Sequence, residues 1–191
     1  MLKDLVIANR SRRGYDPSRR VTKEELMELV DLARLTPSTC NFQALKFHIA
    51  YEAKEVADIL ALTKWAGSLP ELHLPYPGTE PAAFIVICRD LSICKSDIIM
   101  RDVGITAQTM LLGATEMGLG GLMIGSFNKE KLVELLRLSE NLDPNLVVAI
   151  GKPAETVILT EVDASGSTTY YRDAEGKTHY VPKRSLESIL V

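Results

Sequence analysis

The feature that most constrains the fold is an unbroken apolar run, AAFIVIC, at residues 82–88. A continuous apolar run of this length is typical of a β-strand that is covered on both faces. Residues 145–150 form a second segment of this kind. A chain of 191 residues can bury roughly 70% of its unfolded surface, so such strands need no disulfides or metal to be enclosed. We therefore expect one domain, residues 1–191, of mixed α and β structure.

The remaining patterns predict helices and strands that do not alternate strictly. Thr-Lys-Glu-Glu at residues 22–25 forms a capping box, and the helix that it starts should end near Leu35, before Pro37. Further helices are predicted at residues 2–9, 54–65, 97–117, 129–138 and 185–191, and strands at residues 45–51, 168–171 and 179–181, the last two forming a hairpin around RDAEGK. Residues 67–81 contain four prolines and two glycines and are predicted to be a loop and a candidate lid. This order favours an α+β sandwich over a doubly wound sheet.

The predicted helix at residues 97–117 is apolar on most sides. Its main stripe consists of Val103, Ala107, Met110, Ala114 and Met117. Three more apolar residues lie off that stripe: Ile105, Leu111 and Leu112. Because such a helix has to be buried on most sides, we expect a partner subunit to cover it in addition to the chain's own sheet.

Composition and charge exclude several classes of protein. The net charge of −3 gives no reason to expect a nucleic acid or an anionic membrane as partner. No apolar run approaches the length of a membrane span, and Met-Leu-Lys-Asp at the start is not a signal peptide. The cysteines, Cys40, Cys88 and Cys94, have no C-x-x-C spacing, which favours a reducing compartment. We therefore predict a cytoplasmic protein.

Several motifs that carry chemistry are absent from the sequence. There is no G-x-S-x-G nucleophile elbow and no phosphate-binding P-loop. His48, His73 and His179 are too scattered for a pair of metal ligands. GLGGLMIG has Met123 at the third glycine position and follows a helix, which is not the pattern of a dinucleotide-binding turn. An enzyme with this sequence would therefore take its reactive group from a cofactor.

Residues 37–43, Pro-Ser-Thr-Cys-Asn-Phe-Gln, join a predicted helix to a predicted strand. A proline followed by small and polar residues would serve as a turn, but Asn41 and Gln43 add two amides that a turn does not require. The segment is therefore either a turn or a binding loop. Cys40 within it has no histidine nearby in the sequence, so we expect it to be a small buried hydrophobic residue and not a nucleophile.

Basic residues are concentrated near the two ends of the chain. The five residues Asn9-Arg10-Ser11-Arg12-Arg13 place two or three guanidiniums and a hydroxyl at the end of the first helix, and Lys183 and Arg184 form a second basic group. Guanidinium groups bind a phosphate dianion through paired, charge-assisted hydrogen bonds. Taken alone, the first group is equally consistent with a solvated basic loop, and the second would be interpreted as surface charge.

In their order along the chain, these motifs resemble those of the flavin-dependent nitroreductase family. The motifs are Arg-Ser-x-Arg at residues 10–13, Pro-Ser-x-x-Asn-x-Gln at residues 37–43, Gly-Leu-Gly-Gly at residues 118–121 and VPKR-S-L-E near the end. Each motif alone is weak, whereas their ordered combination is fairly specific and spans nearly the whole chain. Three departures leave the substrate range and the preferred nicotinamide donor open: Asn9 in place of an arginine, Ala44-Leu45 in place of Pro-Trp, and the lack of an acidic residue in GLMIGSF.

The resemblance implies an α+β homodimer, with a mostly antiparallel mixed sheet flanked by helices and the long central helix at the dimer interface. Each of two interfacial sites would hold one non-covalent FMN lined by both subunits. The resemblance assigns the FMN phosphate and ribityl chain, or the pyrimidine oxygens, to Arg10, Ser11 and Arg13, and it adds Lys183 and Arg184 for the phosphate. It places five residues of the partner subunit along the isoalloxazine and ribityl chain: Pro37, Ser38, Thr39, Asn41 and Gln43. Ile124 and Gly125 would lie beside the ring.

The resemblance also implies an enzyme whose reactive centre is flavin N5, so that no catalytic side chain needs to be named. Hydride would pass from NADH or NADPH to N5 and then to a nitroaromatic or quinone-type acceptor in a ping-pong reaction. Two alternatives stay open: reduction of another acceptor class, of dehalogenase or enoate type, and flavin binding or storage without significant turnover. Trp65 and the loop at residues 67–81 would line the substrate pocket or only pack.

Overall fold

The computed structural model describes residues 1–173 and 175–191, and for Pro70 the backbone alone. The helices are α1 (Leu2–Ala8), α2 (Lys23–Arg34), α3 (Ala53–Ala61), α4 (Met100–Glu116) and α5 (Lys129–Leu136). The strands are β1 (Leu45–Ala50), β2 (Ala83–Asp90), β3 (Gly120–Ile124), β4 (Leu142–Gly151), β5 (Thr156–Glu161), β6 (Tyr171–Arg172) and β7 (Thr178–Lys183). Short 3₁₀ turns occur at Thr39–Asn41, Pro70–Leu72, Asp97–Ile99 and Glu187–Ile189. No helix in the described part of the chain is long and apolar enough to cross a membrane.

Four strands form the main sheet in the order β1–β2–β4–β3, and each neighbouring pair is antiparallel. Residues Ala83 to Cys88 of β2 are at most 1% exposed, which confirms that the AAFIVIC run is a strand covered on both faces. Because successive side chains of a strand point to opposite faces, Phe84 packs with α3 and α5 whereas Ile85 packs with α2 and α4. Helices thus cover both faces of the sheet, and the predicted α+β sandwich is confirmed.

Helix α2 begins at the predicted capping box. The Glu25 amide donates to Thr22 Oγ1 at 3.2 Å, and the Thr22 amide donates to Glu25 Oε2 at 2.9 Å. The helix ends at Arg34, as predicted, and it lies close against α4. A Cβ on Gly113 of α4 would be only 2.4 Å from Cδ1 of Leu32, so a glycine at this position allows the close approach.

Helix α4 is buried within the chain on one side only. Val103, Ala107 and Met110 are at most 4% exposed and pack against the main sheet and α2. On the opposite side Ile105 is 41% exposed, and Met100 at the start of the helix is 42% exposed. That a second subunit covers this apolar side stays a prediction.

Some predicted boundaries were wrong, and two strands were not predicted. Helix α3 ends at Ala61 and not at Trp65, because the Lys64 amide donates to the Ser126 carbonyl at 2.8 Å and draws this segment alongside the one after β3. The glycine-rich stretch contains strand β3, and β5, whose sequence TVILTE is rich in β-branched residues, was also not predicted. The helix predicted at residues 185–191 is reduced to one 3₁₀ turn.

The last three strands form a separate small sheet in the order β5–β7–β6. Strands β5 and β7 are parallel, and the antiparallel pairing of β6 with β7 confirms the predicted hairpin, although β6 begins only at Tyr171. The RDAEGK turn of that hairpin includes Ala174, which lies outside the described residues. The Ala154 amide donates to the Gly14 carbonyl at 3.0 Å, and Tyr15 pairs with Pro153. The region that leads into the small sheet is therefore fastened to the N-terminal loop.

Candidate functional site

A cavity of about 340 Å³ lies where the two ends of the chain meet on the surface of α4 and β3. We call it the arginine cavity, and it is lined by Asn9, Arg10, Ser11, Arg13, Gln108, Leu111, Met123, Tyr170, His179, Val181 and Lys183. Four residues that the sequence assigned to a cofactor, Arg10, Ser11, Arg13 and Lys183, therefore share one cavity. A volume of this size lies within the range of small-molecule sites.

Main-chain contacts with β3 fix the loop that carries the arginines. The Arg12 amide donates to the Gly121 carbonyl at 2.9 Å, and Ser11 forms a parallel bridge with Gly121. A Cβ on Gly121 would lie 2.2 Å from the Ala149 carbonyl oxygen of β4, and a Cβ on Gly120 would lie 3.2 Å from Cγ of Arg12. Glycines at these positions therefore allow β3 to approach its neighbouring strand and the loop closely. The buried Tyr15 donates its hydroxyl to the Arg12 carbonyl at 2.8 Å. The loop is therefore held at several points before any ligand is considered.

Arg13 is the most buried cation of the cavity, with 9% exposure. Its guanidinium carbon lies 4.8 Å from the centre of the Tyr170 ring, and Nη1 lies 3.4 Å from Nε2 of His179. The Nε atom is buried and has no hydrogen-bond partner among the described residues. Burial lowers the pKa of Arg13, whereas Tyr170 and Glu155 raise it. A guanidinium stays protonated under such conditions, so Arg13 adds a positive charge beside the cavity.

The carboxylate nearest to Arg13 is already engaged by another cation. Glu155 accepts a hydrogen bond from the backbone amide of Arg13 at 2.6 Å, and its second oxygen pairs with the side chain of Arg172. Both side chains of the Glu155–Arg172 pair are only 4% exposed. Within the described residues the Arg13 side chain itself forms no salt bridge. Two buried guanidiniums therefore face one buried carboxylate, and one positive charge is left over.

His179 of β7 is 1% exposed and borders the arginine cavity. Burial, followed by the charges of Arg13 and Arg172, lowers its pKa to about 4, so the ring is neutral at pH 7. Sequence patterns did not predict that His179, Tyr170, Glu155 or Arg172 would belong to the site. For His179 a signal existed, because residues two apart on a strand share a face and β7 carries Val181 and Lys183 at this spacing.

The second group of predicted residues, 37–43, is called the amide loop here. Cys40, Asn41 and Gln43 have φ values of 47°, 53° and 50°, a left-handed conformation that residues other than glycine rarely adopt. Three such residues within four positions are unusual for a plain turn, and strained backbone of this kind is concentrated at functional sites. The backbone is thus more than a simple turn requires, and the role of the segment as a binding loop stays a prediction.

Buried and polar side chains hold the amide loop in this conformation. Asp102 of α4, 2% exposed, accepts the Thr39 amide at 3.0 Å and the Thr39 hydroxyl at 2.8 Å. Ser38 Oγ accepts a hydrogen bond from the backbone amide of Gln43 at 3.2 Å, and the side-chain Nε2 of Gln43 donates to Asn41 Oδ1 at 3.3 Å. Ser38 and Gln43 line a second cavity of about 220 Å³, together with Asp102. The loop is thus tied to α4 but not to the arginine cavity.

The remaining predicted site residues do not line the arginine cavity of the same chain. Ile124 is 3% exposed and belongs to the core, while Arg184 is exposed. A Cβ on Gly125 would meet no atom within 4 Å, so its surroundings are open. The expectation that Cys40 is buried was wrong: Thr39 turns inward to Asp102, and the left-handed backbone that follows leaves Cys40 exposed.

Comparison with known proteins places the chain among oxidoreductases. Residues 7–72 and 78–152 match the sequence profile of the Nitroreductase family. A Bacillus subtilis (strain 168) protein named "Putative NAD(P)H nitroreductase YodC" is 26% identical over 177 residues, which cover 78% of this chain and 88% of the relative. An Archaeoglobus fulgidus protein named "Putative NADH dehydrogenase/NAD(P)H nitroreductase" is 26% identical over 165 residues, which cover 83% and 89%.

Solved structures with the same fold include a nitroreductase family protein from Streptococcus pneumoniae TIGR4, with a TM-score of 0.69 at 18% identity, covering 82% of this chain and 92% of that one. A structure from Exiguobacterium sibiricum 255-15, described as a putative nitroreductase in complex with FMN, has a TM-score of 0.68 at 20% identity and covers 81% and 89%. At these identities the likeness establishes the fold. The family profile ends at residue 152, so strands β5 to β7 lie beyond the matched part.

Proposed function

The chain belongs to the nitroreductase family and is an oxidoreductase, and from this premise we propose that it binds FMN non-covalently and uses NADH or NADPH as electron donor. The description of a structural neighbour as an FMN complex supports the choice of cofactor. We further propose that the whole chain, residues 1–191, acts as one FMN-binding domain and that it works in the cytoplasm.

The observation that carries this proposal is the uncompensated charge of Arg13. A buried cation without a partner is costly, and its cost falls when an anion binds beside it. Arg10 and Lys183 border the same cavity, so a phosphate dianion would meet three cationic side chains. We propose that Arg10 and Lys183 hold the FMN phosphate together with Ser11 and Arg184. Arg13 would bind either the phosphate or the pyrimidine oxygens.

The amide loop provides a different kind of contact, and we propose that it serves the flavin of the partner subunit. Pro37, Ser38, Thr39, Asn41 and Gln43 would line the isoalloxazine and ribityl chain across a homodimer interface. Two observations support this: the loop does not line its own chain's arginine cavity, and the apolar side chains of Met100 and Ile105 on α4 are exposed. Val6 and Ile7 of α1 are 43% and 50% exposed and would extend the same interface.

When bound, FMN would supply two-electron chemistry at N5, taking hydride from the nicotinamide donor and passing it to a nitroaromatic or quinone-type acceptor. In this reaction the protein would bind and orient the cofactor and would place positive charge near it. Gly125 leaves open space beside its backbone, which suits close approach of a ring, and we propose that Ile124 and Gly125 lie next to it. Because donor and acceptor would use one pocket in turn, we propose a ping-pong order.

The first test is the purified chain itself. We expect visible absorption bands of flavin, a dimer by light scattering, and steady oxidation of NADH or NADPH when a quinone or nitroaromatic compound is added. A colourless chain that takes up no added FMN would refute the cofactor, and a monomer that retains FMN tightly would refute the shared site. A yellow protein without turnover would leave flavin storage as the function.

The second test separates the two roles open to Arg13. Arg13→Ala should weaken FMN binding by about 10- to 100-fold, the size expected for a charge-assisted hydrogen bond. If Arg13 binds the phosphate, riboflavin affinity should not change, and if it binds the pyrimidine oxygens, both affinities should fall. Arg20→Ala removes an exposed arginine outside the cavity and serves as the matched control.

A further inference from the structure

The immediate surroundings of Arg13 come mainly from the part of the chain beyond the family profile. Glu155 precedes β5, Tyr170 precedes β6, Arg172 ends β6 and His179 lies in β7. All four lie after residue 152, where the family match ends. Residues in and next to the small C-terminal sheet thus surround Arg13, which comes from the opposite end of the chain.

We propose that His179 is a positioning residue that orients the guanidinium of Arg13 at the arginine cavity by accepting a hydrogen bond at Nε2. This inference rests on the proposed function, because the role of Arg13 there is to bind FMN. His179 itself need not touch the ligand, since its exposure is only 1%.

The chemistry of the two side chains determines which atom donates. A guanidinium has only donors, so His179 Nε2, 3.4 Å from Arg13 Nη1, has to be the acceptor. An imidazole that accepts at Nε2 is neutral and carries its proton on Nδ1. The Nδ1 atom is buried without a partner among the described residues, so no second hydrogen bond competes to turn the ring.

The positive charges around His179 also favour its neutral form. Arg13 approaches from the N-terminal loop, Arg172 from β6, and the Tyr170 ring lies 5.0 Å away centre to centre. Glu155 pairs with Arg172 and caps the Arg13 amide, so it does not reach the imidazole as a counter-ion in this arrangement. A protonated His179 would add another positive charge directly beside those of Arg13 and Arg172, and Glu155 is the one carboxylate that pairs with this group. The neutral acceptor is therefore the form that fits.

Without His179 the guanidinium would lose one of its two hydrogen-bond acceptors among the described residues. Its remaining contacts are the Tyr170 face, which does not fix rotation in the plane of the guanidinium, and a bond from Nη1 to the Ser11 carbonyl at 3.4 Å. The free side chain would then sample several rotamers, and an anion would have to order it on binding. We expect a five- to tenfold loss of FMN affinity, which is the size of one net hydrogen bond.

The test measures FMN dissociation constants by flavin fluorescence at pH 7 for the wild type, His179→Phe, His179→Gln and Arg13→Ala, and for each histidine variant combined with Arg13→Ala. We expect His179→Phe to weaken binding, His179→Gln to restore most of it through its amide oxygen, and neither to have an effect when Arg13 is absent. His48→Gln, which alters a histidine paired with Glu55, should bind FMN like the wild type. An equal loss with and without Arg13 would overturn the inference.

A second measurement needs no flavin. Ring nitrogen chemical shifts of the flavin-free chain should show His179 neutral at pH 6 with its proton on Nδ1, and Arg13→Ala should allow it to protonate at higher pH. A proton on Nε2 would overturn the positioning role even in a chain that binds FMN. Failure of the wild type to take up FMN would instead overturn the proposed function, and the two failures are therefore distinguishable.

Discussion

A buried carboxylate organises both the arginine cavity and the amide loop. The two regions differ in how far contacts within one chain satisfy their charged and polar groups. Glu155 is shared between the Arg13 amide and Arg172, and the charge of Arg13 is left over. Both oxygens of the Asp102 carboxylate accept hydrogen bonds from Thr39, and the side-chain amide of Gln43 donates to that of Asn41. The cavity thus contains an unpaired positive charge that an anion can neutralise. The loop, by contrast, has a fixed conformation and carries neutral polar groups.

The largest expected effect comes from removing the carboxylate of the arginine cavity. Glu155→Gln leaves Arg13 and Arg172 buried without a negative partner, and breaking a buried pair in this way costs about 3–5 kcal/mol. Urea unfolding of the flavin-free chain measures the loss. Glu175→Gln, which alters an exposed pair with Lys177, is the control and should leave the unfolding midpoint unchanged. A Glu155 variant as stable as this control would mean that the cavity charges are solvated.

The corresponding change in the amide loop should have a smaller effect that stays local. Asp102→Asn removes a charged acceptor of the Thr39 amide and hydroxyl, and we expect a loss of about 2–3 kcal/mol in the free energy of unfolding. Amide hydrogen exchange should become faster at Thr39 and Asn41 but not at Arg12, whose amide bonds to Gly121. Faster exchange at Arg12 as well would show that the two regions are coupled within one chain.

The pH dependence of stability separates the two regions further. The pKa of His179 is lowered to about 4 in the folded chain, so between about pH 4 and its ordinary value of about 6.5 the unfolded chain binds more protons at this residue. Its contribution to stability is therefore fully present above about pH 6.5 and is lost as the pH falls toward 4. His179→Gln should flatten the slope of unfolding free energy against pH in this window, whereas Asp102→Asn should not flatten it. Parallel slopes for wild type and His179→Gln would contradict a neutral buried imidazole.

The smallest effect is expected at the exposed thiol of the amide loop. Cys40→Ser should change stability by less than about 0.5 kcal/mol, because the side chain is exposed. A thiol reagent should label Cys40 in the native chain but not Cys88, which is buried and whose pKa is raised to about 12 by desolvation and by Asp143. Added FMN should slow the labelling of Cys40 if the loop lines the flavin site of a partner. Labelling at an unchanged rate would remove the loop from the proposed site.

Elements with a strong local pattern were predictable from the sequence. The capping box of α2, the apolar run of β2 and the buried stripe of α4 each follow from residues within one element, and the structure agrees with them. Strands β3 and β5 were both missed. The first begins with two glycines, one of which lies against Arg12 and Pro153, so its composition does not indicate a strand. The second, TVILTE, has the β-branched composition of a strand, so its residues did indicate it although it was not predicted.

The candidate site divides in the same way. Residue types and motif order led to the prediction that these arginines, this lysine and these amides bind a cofactor, since phosphate and flavin edges require such chemical groups, and that assignment stays a prediction. Tertiary structure alone placed Arg10 and Arg13 in one cavity with Lys183, about 170 positions away in the sequence. It also surrounded Arg13 with His179, Tyr170 and Glu155, and it turned Cys40 outward. A residue's partners, its burial and hence its charge state depend on chain segments that are remote in sequence, so local patterns determined the elements and the fold determined the electrostatics of the site.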